Sequence, residues 1–183
     1  MKSRLVFSKN LTIAGQTAPG EGVVVYGNGV SFSAAENIIV RYLRIRMGIG
    51  GTSGADAAGI ANGGNMIFDH VSATWGLDEN FSINWDSKGF EPYNITIQNS
   101  IIGQGIMVHA CGGLIQTNGG VTLYRNLYID NKTRNPKVKG LNQFVNNVVY
   151  NWGEGGAYIL GDTEASSWGV ITNNYFIKGP VEG

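Results

Sequence analysis

The feature of this sequence that most constrains its fold is a short phrase that returns along the chain. The phrase is a run of β-branched residues, then asparagine or a similar residue, and then another apolar pair. Aligning the phrases places six residues in one column: Tyr42, His70, Ser100, Asn126, Asn147 and Asn174. These residues are 28, 30, 26, 21 and 27 positions apart, and Gly15 lies 27 positions before the first. Such a period indicates stacked units that bury their apolar faces on one another, here about seven coils.

The composition favours short strands within each coil. Glycine is frequent at 28 residues and proline is rare at 4, which suits strands joined by tight turns. Apolar and polar residues alternate in short stretches, and no segment keeps an apolar period of 3.6. The alternating stretches lie at 23–26, 30–33, 37–40, 94–97 and 121–124. A β-sandwich also has strands at this spacing, but the longer period favours a right-handed parallel β-helix with roughly three strands per coil. We predict that residues 1–183 form this single all-β domain.

The asparagines of the column have a structural explanation. Asparagine tolerates the left-handed backbone of a tight turn, and its amide can bond the backbone of adjacent coils. We therefore expect Asn126, Asn147 and Asn174 to form a ladder inside the solenoid. The glycosylation sequons at Asn10, Asn94 and Asn131 are explained by the same preference for asparagine in turns.

The charge balance limits the classes of partner. Lys+Arg and Asp+Glu number 13 each, and charged residues make up only 14% of the chain, so no strong net field would hold nucleic acid or an anionic membrane surface. There is no apolar run near 18 residues, and the first residues lack the apolar core of a signal peptide. Cys111 is the single cysteine, which excludes an internal disulfide and a CxxC metal site. An anionic ligand must therefore be bound by a local cluster of cations.

Acidic residues occur where long excursions interrupt the repeat. The excursions cover 47–64, 75–93, 103–120 and 130–142, and loops on a rigid scaffold commonly carry function. Asp56 lies in the first excursion, and Asp78 and Glu79 lie in the second, followed by Ser82 and Asn84. In a β-helix these loops belong to successive coils, so their acids can meet on one flank. Carboxylates with amide or hydroxyl oxygens form Ca²⁺ sites; the alternative is that the acids cap turns.

Four cations lie within eight residues of the last excursion: Lys132, Arg134, Lys137 and Lys139. In so neutral a chain this cluster indicates an anion site, with a solvated basic loop as the alternative. If the segment after Pro136 is extended, Lys137 and Lys139 share one face and Arg134 lies on the other side.

The two histidines are candidate bases or ligands. His70 follows Asp69 within the repeat column, which favours a packed, hydrogen-bonded role. His109 lies in a glycine-rich loop and receives no specific role from the sequence. No GxSxG, HExxH or P-loop motif occurs.

Six segments, read in order, together resemble the pectate lyases of polysaccharide lyase family 1. They are residues 10–20, 37–46, 54–60, 68–79, 133–140 and 146–153. The most specific features are the Asp69–His70 pair and the Arg134-x-Pro136-x-x-Lys139 motif at their mutual separation. The resemblance implies a parallel β-helix that cleaves α-1,4-linked polygalacturonate, an acidic plant cell-wall polysaccharide, by β-elimination, usually with Ca²⁺. It also implies a secreted, extracellular or periplasmic protein, and we expect a monomer whose open coil ends can associate end to end.

The resemblance also assigns roles to site residues. Arg134 matches the catalytic arginine that abstracts the C5 proton, and Lys139 matches the basic residue that holds a uronate carboxylate. Asp56 matches a calcium ligand, and Asp78 matches the first acid of an acid-x-x-x-acid calcium pair whose second position is Ser82. We add Lys132 and Lys137 to the substrate-binding residues, and Glu79 and Asn84 to the calcium ligands.

Arginine is a poor base because its free pKa lies above about 12. We therefore hypothesise that Lys137, Lys139 and bound Ca²⁺, together with burial under substrate, disfavour the charged form of Arg134.

The sequence departs from the family pattern at several positions. Gly54 and Ser82 stand where the family often has acids, and the loop 103–113 lacks the usual lysine. Residues 124–126 read Tyr-Arg-Asn where His-His-Asn is usual, and we expect the family's N-terminal coils and C-terminal extension to be absent. Two alternatives follow: a catalytically impaired β-helix that binds acidic polysaccharide, and a lyase that acts on a different uronan.

Overall fold

Each coil of the chain contributes up to three short strands, and strands of successive coils pair in parallel. The computed structural model describes residues 1–106, 109–153, 155–161 and 166–180. The strands are β1 (Leu5–Val6), β2 (Leu11–Ala14), β3 (Val23–Tyr26), β4 (Val30–Ser31), β5 (Ala35–Arg41), β6 (Leu43–Arg46), β7 (Ala58–Ile60), β8 (Gly63–Asp69), β9 (Ser72–Thr74), β10 (Phe81–Asn84), β11 (Tyr93–Gln98), β12 (Ile101–Gly103), β13 (Leu114–Tyr124), β14 (Leu127–Ile129), β15 (Lys137–Val145), β16 (Val148–Tyr150), β17 (Ile159–Leu160), β18 (Ser167–Thr172) and β19 (Tyr175–Ile177). One 3₁₀ turn covers Gly15–Thr17, and no helix in the described ranges has the length and hydropathy needed to cross a bilayer.

The strands form three faces. The first face contains β1, β4, β7, β10, the first parts of β13 and β15, and β17. The second face contains β2, β5, β8, β11, the later parts of β13 and β15, and β18. The third face contains β3, β6, β9, β12, β14, β16 and β19. Its seven stacked strands are separated by about six complete turns of the chain, so the predicted parallel β-helix is confirmed.

Alternation along the strands directs one set of side chains into the solenoid. On the second face, equivalent positions of five successive strands carry apolar residues that are 0–1% exposed. They are Val40, Phe68, Ile97, Leu123 and Phe144. The alternation within each strand thus produces an apolar column that runs through the stacked coils. Burial of each of these side chains contributes about 1.5–3 kcal/mol to the stability of the solenoid.

The predicted asparagine ladder is present inside the solenoid. The Asn147 Nδ2 donates to the Leu123 carbonyl at 2.9 Å, and the Asn147 Oδ1 accepts the Asn126 backbone N–H at 2.8 Å. Asn174 repeats this pattern one coil later, where its Oδ1 accepts the Asn147 N–H at 2.8 Å. In the other direction, the Asn126 Oδ1 accepts the Ser100 N–H at 3.1 Å. The ladder therefore supplies partners to buried backbone groups at a corner where the strand pairing is interrupted.

The assignment of Tyr42 and His70 to this column is wrong by one residue. Arg41 pairs with Asp69 and Asp69 with Gln98, so Tyr42 and His70 are level with Asn99 rather than with Ser100. The backbones of Tyr42 and His70 are left-handed, with φ of 54° at both. Their rings stack at 4.7 Å, and the His70 Nδ1 lies 2.8 Å from the Asp69 Oδ1, in keeping with the packed role expected for His70.

A second ladder of asparagines runs along an outer corner. Asn10, Asn37, Asn65 and Asn94 all have φ between 50° and 58°, and successive side-chain amides are joined by hydrogen bonds of 2.8, 3.3 and 2.9 Å. The sequon asparagines Asn10 and Asn94 therefore serve in turns, and the two other asparagines that begin sequons, Asn80 and Asn131, are at most 1% exposed. This arrangement supports the structural explanation of the sequons.

Candidate active site

The candidate site lies at the corner between the third and first faces. Here four consecutive coils run side by side over residues 54–57, 76–80, 109–113 and 131–136. Parallel bridges join Glu79 to Cys111 and Cys111 to Thr133. Backbone hydrogen bonds link these coils: the Ala57 N–H donates to the Glu79 carbonyl at 2.9 Å, and the Gly113 N–H donates to the Arg134 carbonyl at 2.8 Å. The coil stacking thereby brings acids and a cation from distant sequence positions to one place.

Three of the predicted metal ligands meet at this corner. The Asp56 Oδ1 accepts the Glu79 backbone N–H at 3.3 Å, and Asp78 immediately precedes Glu79. Burial and the charge of Asp78 raise the pKa of Asp56, although hydrogen bonds from Glu79 oppose the shift. Burial, followed by the charges of Asp56 and Asp78, raises the pKa of Glu79 to about 8. Asp56 and Asp78 therefore both disfavour the charged form of Glu79, and a cation placed beside these carboxylates would relieve the repulsion.

Arg134 contacts this acidic group directly. The Arg134 Nη1 donates to the Glu79 Oε1, and the Arg134 backbone is left-handed, with φ of 54°. Burial lowers the pKa of Arg134, but the hydrogen bond and charge of Glu79, with Cys111 and Asp78, outweigh this effect and raise it. The hypothesis that bound Ca²⁺, Lys137 and Lys139 disfavour the charged form of Arg134 under substrate concerns the loaded site and stays a hypothesis. In the chain by itself, acids rather than these lysines act on the guanidinium.

Lys137 and Lys139 lie on the outer side of the first face. They are half-buried positions of β15 on either side of the fully buried Val138, so the prediction that they share one face is confirmed. Lys139 is level with Gln116 of β13. Lys132 lies in the preceding turn, where its backbone N–H donates to the Ala110 carbonyl at 2.7 Å. The basic cluster therefore extends from the acid corner onto the adjoining face.

Ser82 and Asn84 are not brought to the acids. The Ser82 side chain is 3% exposed, and its Oγ accepts the Leu114 N–H at 3.2 Å, so this hydroxyl serves the fold. Asn84 ends β10 and is exposed, in the same row as Gln116 and Lys139. Glu79, not the residue at the Ser82 position, is the acid that joins Asp78 at the corner.

The sequence assigned no specific role at this site to two further residues, Cys111 and His109. The buried Cys111 places its Sγ within 4.8 Å of carboxylate oxygens of Asp78 and Glu79, and burial raises the pKa of this thiol to about 11. The His109 Nδ1 lies 3.3 Å from the Asp78 Oδ1. Their positions in the repeat could have predicted this placement, because Cys111 lies one coil after Glu79. The excursions differ in length, however, so the equivalent positions could not be aligned. Both belong to the loop without the usual lysine, of which residues 107–108 lie outside the described ranges.

Buried asparagines inside the solenoid hold the segments that carry the site residues. Asn80, Asn131 and Asn135 are each at most 1% exposed. The Asn80 Nδ2 donates to the Asn131 Oδ1 at 2.8 Å, and the Asn131 Nδ2 donates to the Asn135 Oδ1 at 2.8 Å. Because Asn80 adjoins Glu79 and Asn135 adjoins Arg134, this network fixes the two segments that carry the ion pair.

The donor set at the corner suits a hard divalent cation. Asp56, Asp78 and Glu79 offer carboxylate oxygens, which are the ligands that Ca²⁺ prefers. The Cys111 thiol lies beside them but is a soft ligand, poorly matched to Ca²⁺. The residues present therefore fit calcium, with Asp56, Asp78 and Glu79 as the groups that would hold it.

The raised pKa of Glu79 predicts a pH-dependent stability in the presence of a chelator. A carboxyl group whose pKa is raised from 4.5 to about 8 in the folded chain favours folding below the lower value. This contribution is lost as the pH rises through the higher value, so the free energy of unfolding should fall from about pH 5 to about pH 8.5. Urea unfolding at the two pH values measures the change. Glu79→Gln should flatten it, and the exposed Glu21→Gln should not; an equal fall in wild type and Glu79→Gln would contradict the assignment.

Comparison with known proteins places the chain among named relatives, although no family model matches it. Over 180 residues it is 66% identical to the probable pectate lyase C of Neosartorya fischeri and to that of Aspergillus fumigatus. Over 177 residues it is 66% identical to the probable pectate lyase C of Aspergillus flavus. The alignments cover 97–98% of this chain but only 41–42% of those proteins, so the chain spans less than half the length of the curated relatives it matches. These similarities confirm the resemblance of the sequence to the pectate lyases.

Proposed function

We propose that this chain, a relative of proteins named pectate lyase, cleaves α-1,4-linked polygalacturonate by β-elimination, with Arg134 as the base and Ca²⁺ held by Asp56, Asp78 and Glu79. One observation carries the proposal. Arg134 is fixed against the buried Glu79 of the acid cluster, at the edge of a strand face that presents Lys137 and Lys139. This arrangement combines a base, a cation site and cations for an anionic chain within one corner of a rigid solenoid.

The chemistry of the substrate explains why these groups are needed. The C5 proton of a galacturonate unit is α to its carboxylate, so removal of this proton places a second negative charge on that group. The C5–H electrons form the C4=C5 double bond, the C4–O4 bond breaks, and O4 takes a proton from water. Positive groups fixed where the charge develops lower the barrier. Successive lysines of β15 have Cα atoms about 6–7 Å apart, which lets Lys137 and Lys139 contact separate groups of an extended polyanion.

When bound, Ca²⁺ would supply a positive charge that stabilises the charge developing on the uronate carboxylate. Glu79 has a further role, because its carboxylate is the group that raises the pKa of Arg134 most strongly. Arg134 abstracts a proton only after its contact with Glu79 is released and a proton is lost from the guanidinium. Because Glu79 would also help to hold the cation, the same carboxylate belongs both to the cation site and to the contact that keeps Arg134 protonated.

We further propose that the chain acts outside the cell, where a plant cell-wall polysaccharide is encountered. The chain has no net charge, and four of its 13 lysines and arginines lie within residues 132–139. Two alternative functions are distinguished from this proposal by experiment: binding of acidic polysaccharide without turnover, and cleavage of a different uronan.

The test is the ultraviolet absorbance of the unsaturated uronide during incubation with polygalacturonate. We expect the absorbance to rise with Ca²⁺, to stop rising in excess chelator, and to rise again when Ca²⁺ is restored. A flat trace from protein shown to be folded by circular dichroism would refute lyase activity on this substrate. A panel of other uronans then identifies a different substrate, and affinity electrophoresis in a polygalacturonate gel identifies binding without turnover.

A further inference from the structure

A pocket of about 190 Å³ lies on the outer side of the first face, beyond the candidate active site. It is lined by Asn84, Trp85, Glu91, Gln116, Thr117, Asn118, Lys139 and Gly140. Pockets that hold whole drug-sized ligands commonly measure about 300–1,000 Å³. A pocket of this size suits one ring of a longer chain that continues past it.

One side of the pocket is polar. Asn84, Gln116 and Lys139 form one row across three successive strands, with their side chains on the outer surface. Among the described residues, no hydrogen bond or ion pair of the Lys139 ammonium is found. This ammonium is thus available to a carboxylate, and the neighbouring amides can bond hydroxyl groups.

The other side of the pocket is an aromatic ring. Trp85 is 41% exposed, and its backbone N–H donates to the Gln116 carbonyl at 3.3 Å, which holds the start of its loop against β13. The far end of the loop is held as well, because the Glu91 Oε1 accepts the Asn118 Nδ2 at 3.2 Å. The Trp85 side of the pocket is therefore formed before any ligand binds, which reduces the entropic cost of binding.

We propose that Trp85 completes a binding position for one acidic sugar unit in this pocket: an apolar face of the sugar ring lies against the Trp85 indole, while its carboxylate meets Lys139, the residue that the family resemblance already assigns to a uronate carboxylate. The inference rests on the proposed function, since it assumes that the chain takes an acidic polysaccharide. Trp85 is then a residue that determines affinity and chain-length preference. Lys139 lies five positions after Arg134 along the chain, at most about 17 Å of extended backbone, so one oligomer can reach both the pocket and Arg134.

This placement predicts a change in KM rather than in kcat. Trp85→Ala removes a contact that is made equally in the ground state and the transition state. We expect its KM for polygalacturonate to rise about tenfold with kcat nearly unchanged, and Trp85→Phe to retain most of the affinity. Phe90→Ala is the matched control, because Phe90 is a 77% exposed aromatic residue of the same loop that does not line the pocket. An unchanged KM in Trp85→Ala would overturn the inference.

Equilibrium binding separates this inference from the proposed lyase activity. Titration calorimetry with galacturonate oligomers of increasing length, in an Arg134→Ala background, measures affinity without turnover. We expect Trp85→Ala to weaken binding of the longer oligomers about tenfold and that of the shortest much less. If the wild-type chain shows no turnover but Trp85→Ala still weakens binding, the lyase proposal fails and the subsite stands. If the wild-type chain cleaves its substrate and Trp85→Ala binds all oligomers normally, the subsite alone fails.

Discussion

Replacement of Arg134 by alanine is expected to lower kcat on polygalacturonate by about 10²- to 10⁴-fold, the usual contribution of a positioned base. The Arg134 guanidinium donates to Glu79 of the acid cluster, and the segment of Arg134 is fixed by the Asn131–Asn135 hydrogen bond. Its loss removes the proton acceptor and also leaves the buried Glu79 carboxylate without its guanidinium partner. The measurement is the initial rate of absorbance increase at saturating substrate and Ca²⁺.

Two further variants make this prediction specific. Arg134→Lys keeps a cation but loses the planar guanidinium, and we expect it to retain little activity. Arg125→Ala removes an exposed arginine whose guanidinium lies 5.0 Å from the Tyr124 ring centre, on another turn, and should leave kcat unchanged. Full activity in Arg134→Lys would contradict a specific role for the arginine.

Replacement of Asn147 by leucine is expected to destabilise the fold by about 2–5 kcal/mol. Asn147 is fully buried, and its amide bonds the Asn126 N–H and the Leu123 carbonyl at the same time. Leucine has a similar size but leaves both backbone groups buried without a partner, at about 1–3 kcal/mol each. Urea unfolding followed by far-ultraviolet circular dichroism measures the loss.

The outer ladder provides the control for this variant. In Asn94→Gly, glycine adopts the left-handed backbone of this position without strain. The substitution removes the exposed hydrogen bond to the Asn65 amide. Because water replaces that bond, we expect a loss of about 1 kcal/mol or less. A loss in Asn147→Leu no larger than that in Asn94→Gly would show that the inner ladder does not stabilise the solenoid.

Much of the fold could be predicted from the sequence because the same pattern of apolar and turn residues recurs in every coil of a solenoid. The period gave the β-helix, and the inner ladder followed from Asn126, Asn147 and Asn174. The error at Tyr42 and His70 arose because their segments match the repeated apolar pattern equally well when the alignment is shifted by one residue. Only the strand pairing of Arg41 with Asp69 fixes that register.

Part of the candidate site could also be predicted from the sequence. The acids Asp56, Asp78 and Glu79 were expected to meet because they lie in loops of successive coils. The contact of Cys111 with this group was not foreseen, because the excursions differ in length and conceal which residues become neighbours. The sequence also could not show that Arg134 contacts Glu79, a contact that raises the pKa of Arg134 in the chain by itself.

The products of a defined galacturonate oligomer, identified by mass spectrometry, test the central claim most directly. Elimination adds no water, so the account predicts two fragments whose masses sum to that of the substrate, one of which carries a double bond at its non-reducing end. Both fragments should appear with Ca²⁺, and with Arg134→Ala they should form about 10²- to 10⁴-fold more slowly. Fragments whose masses sum to that of the substrate plus one water would indicate hydrolysis and contradict β-elimination by this site.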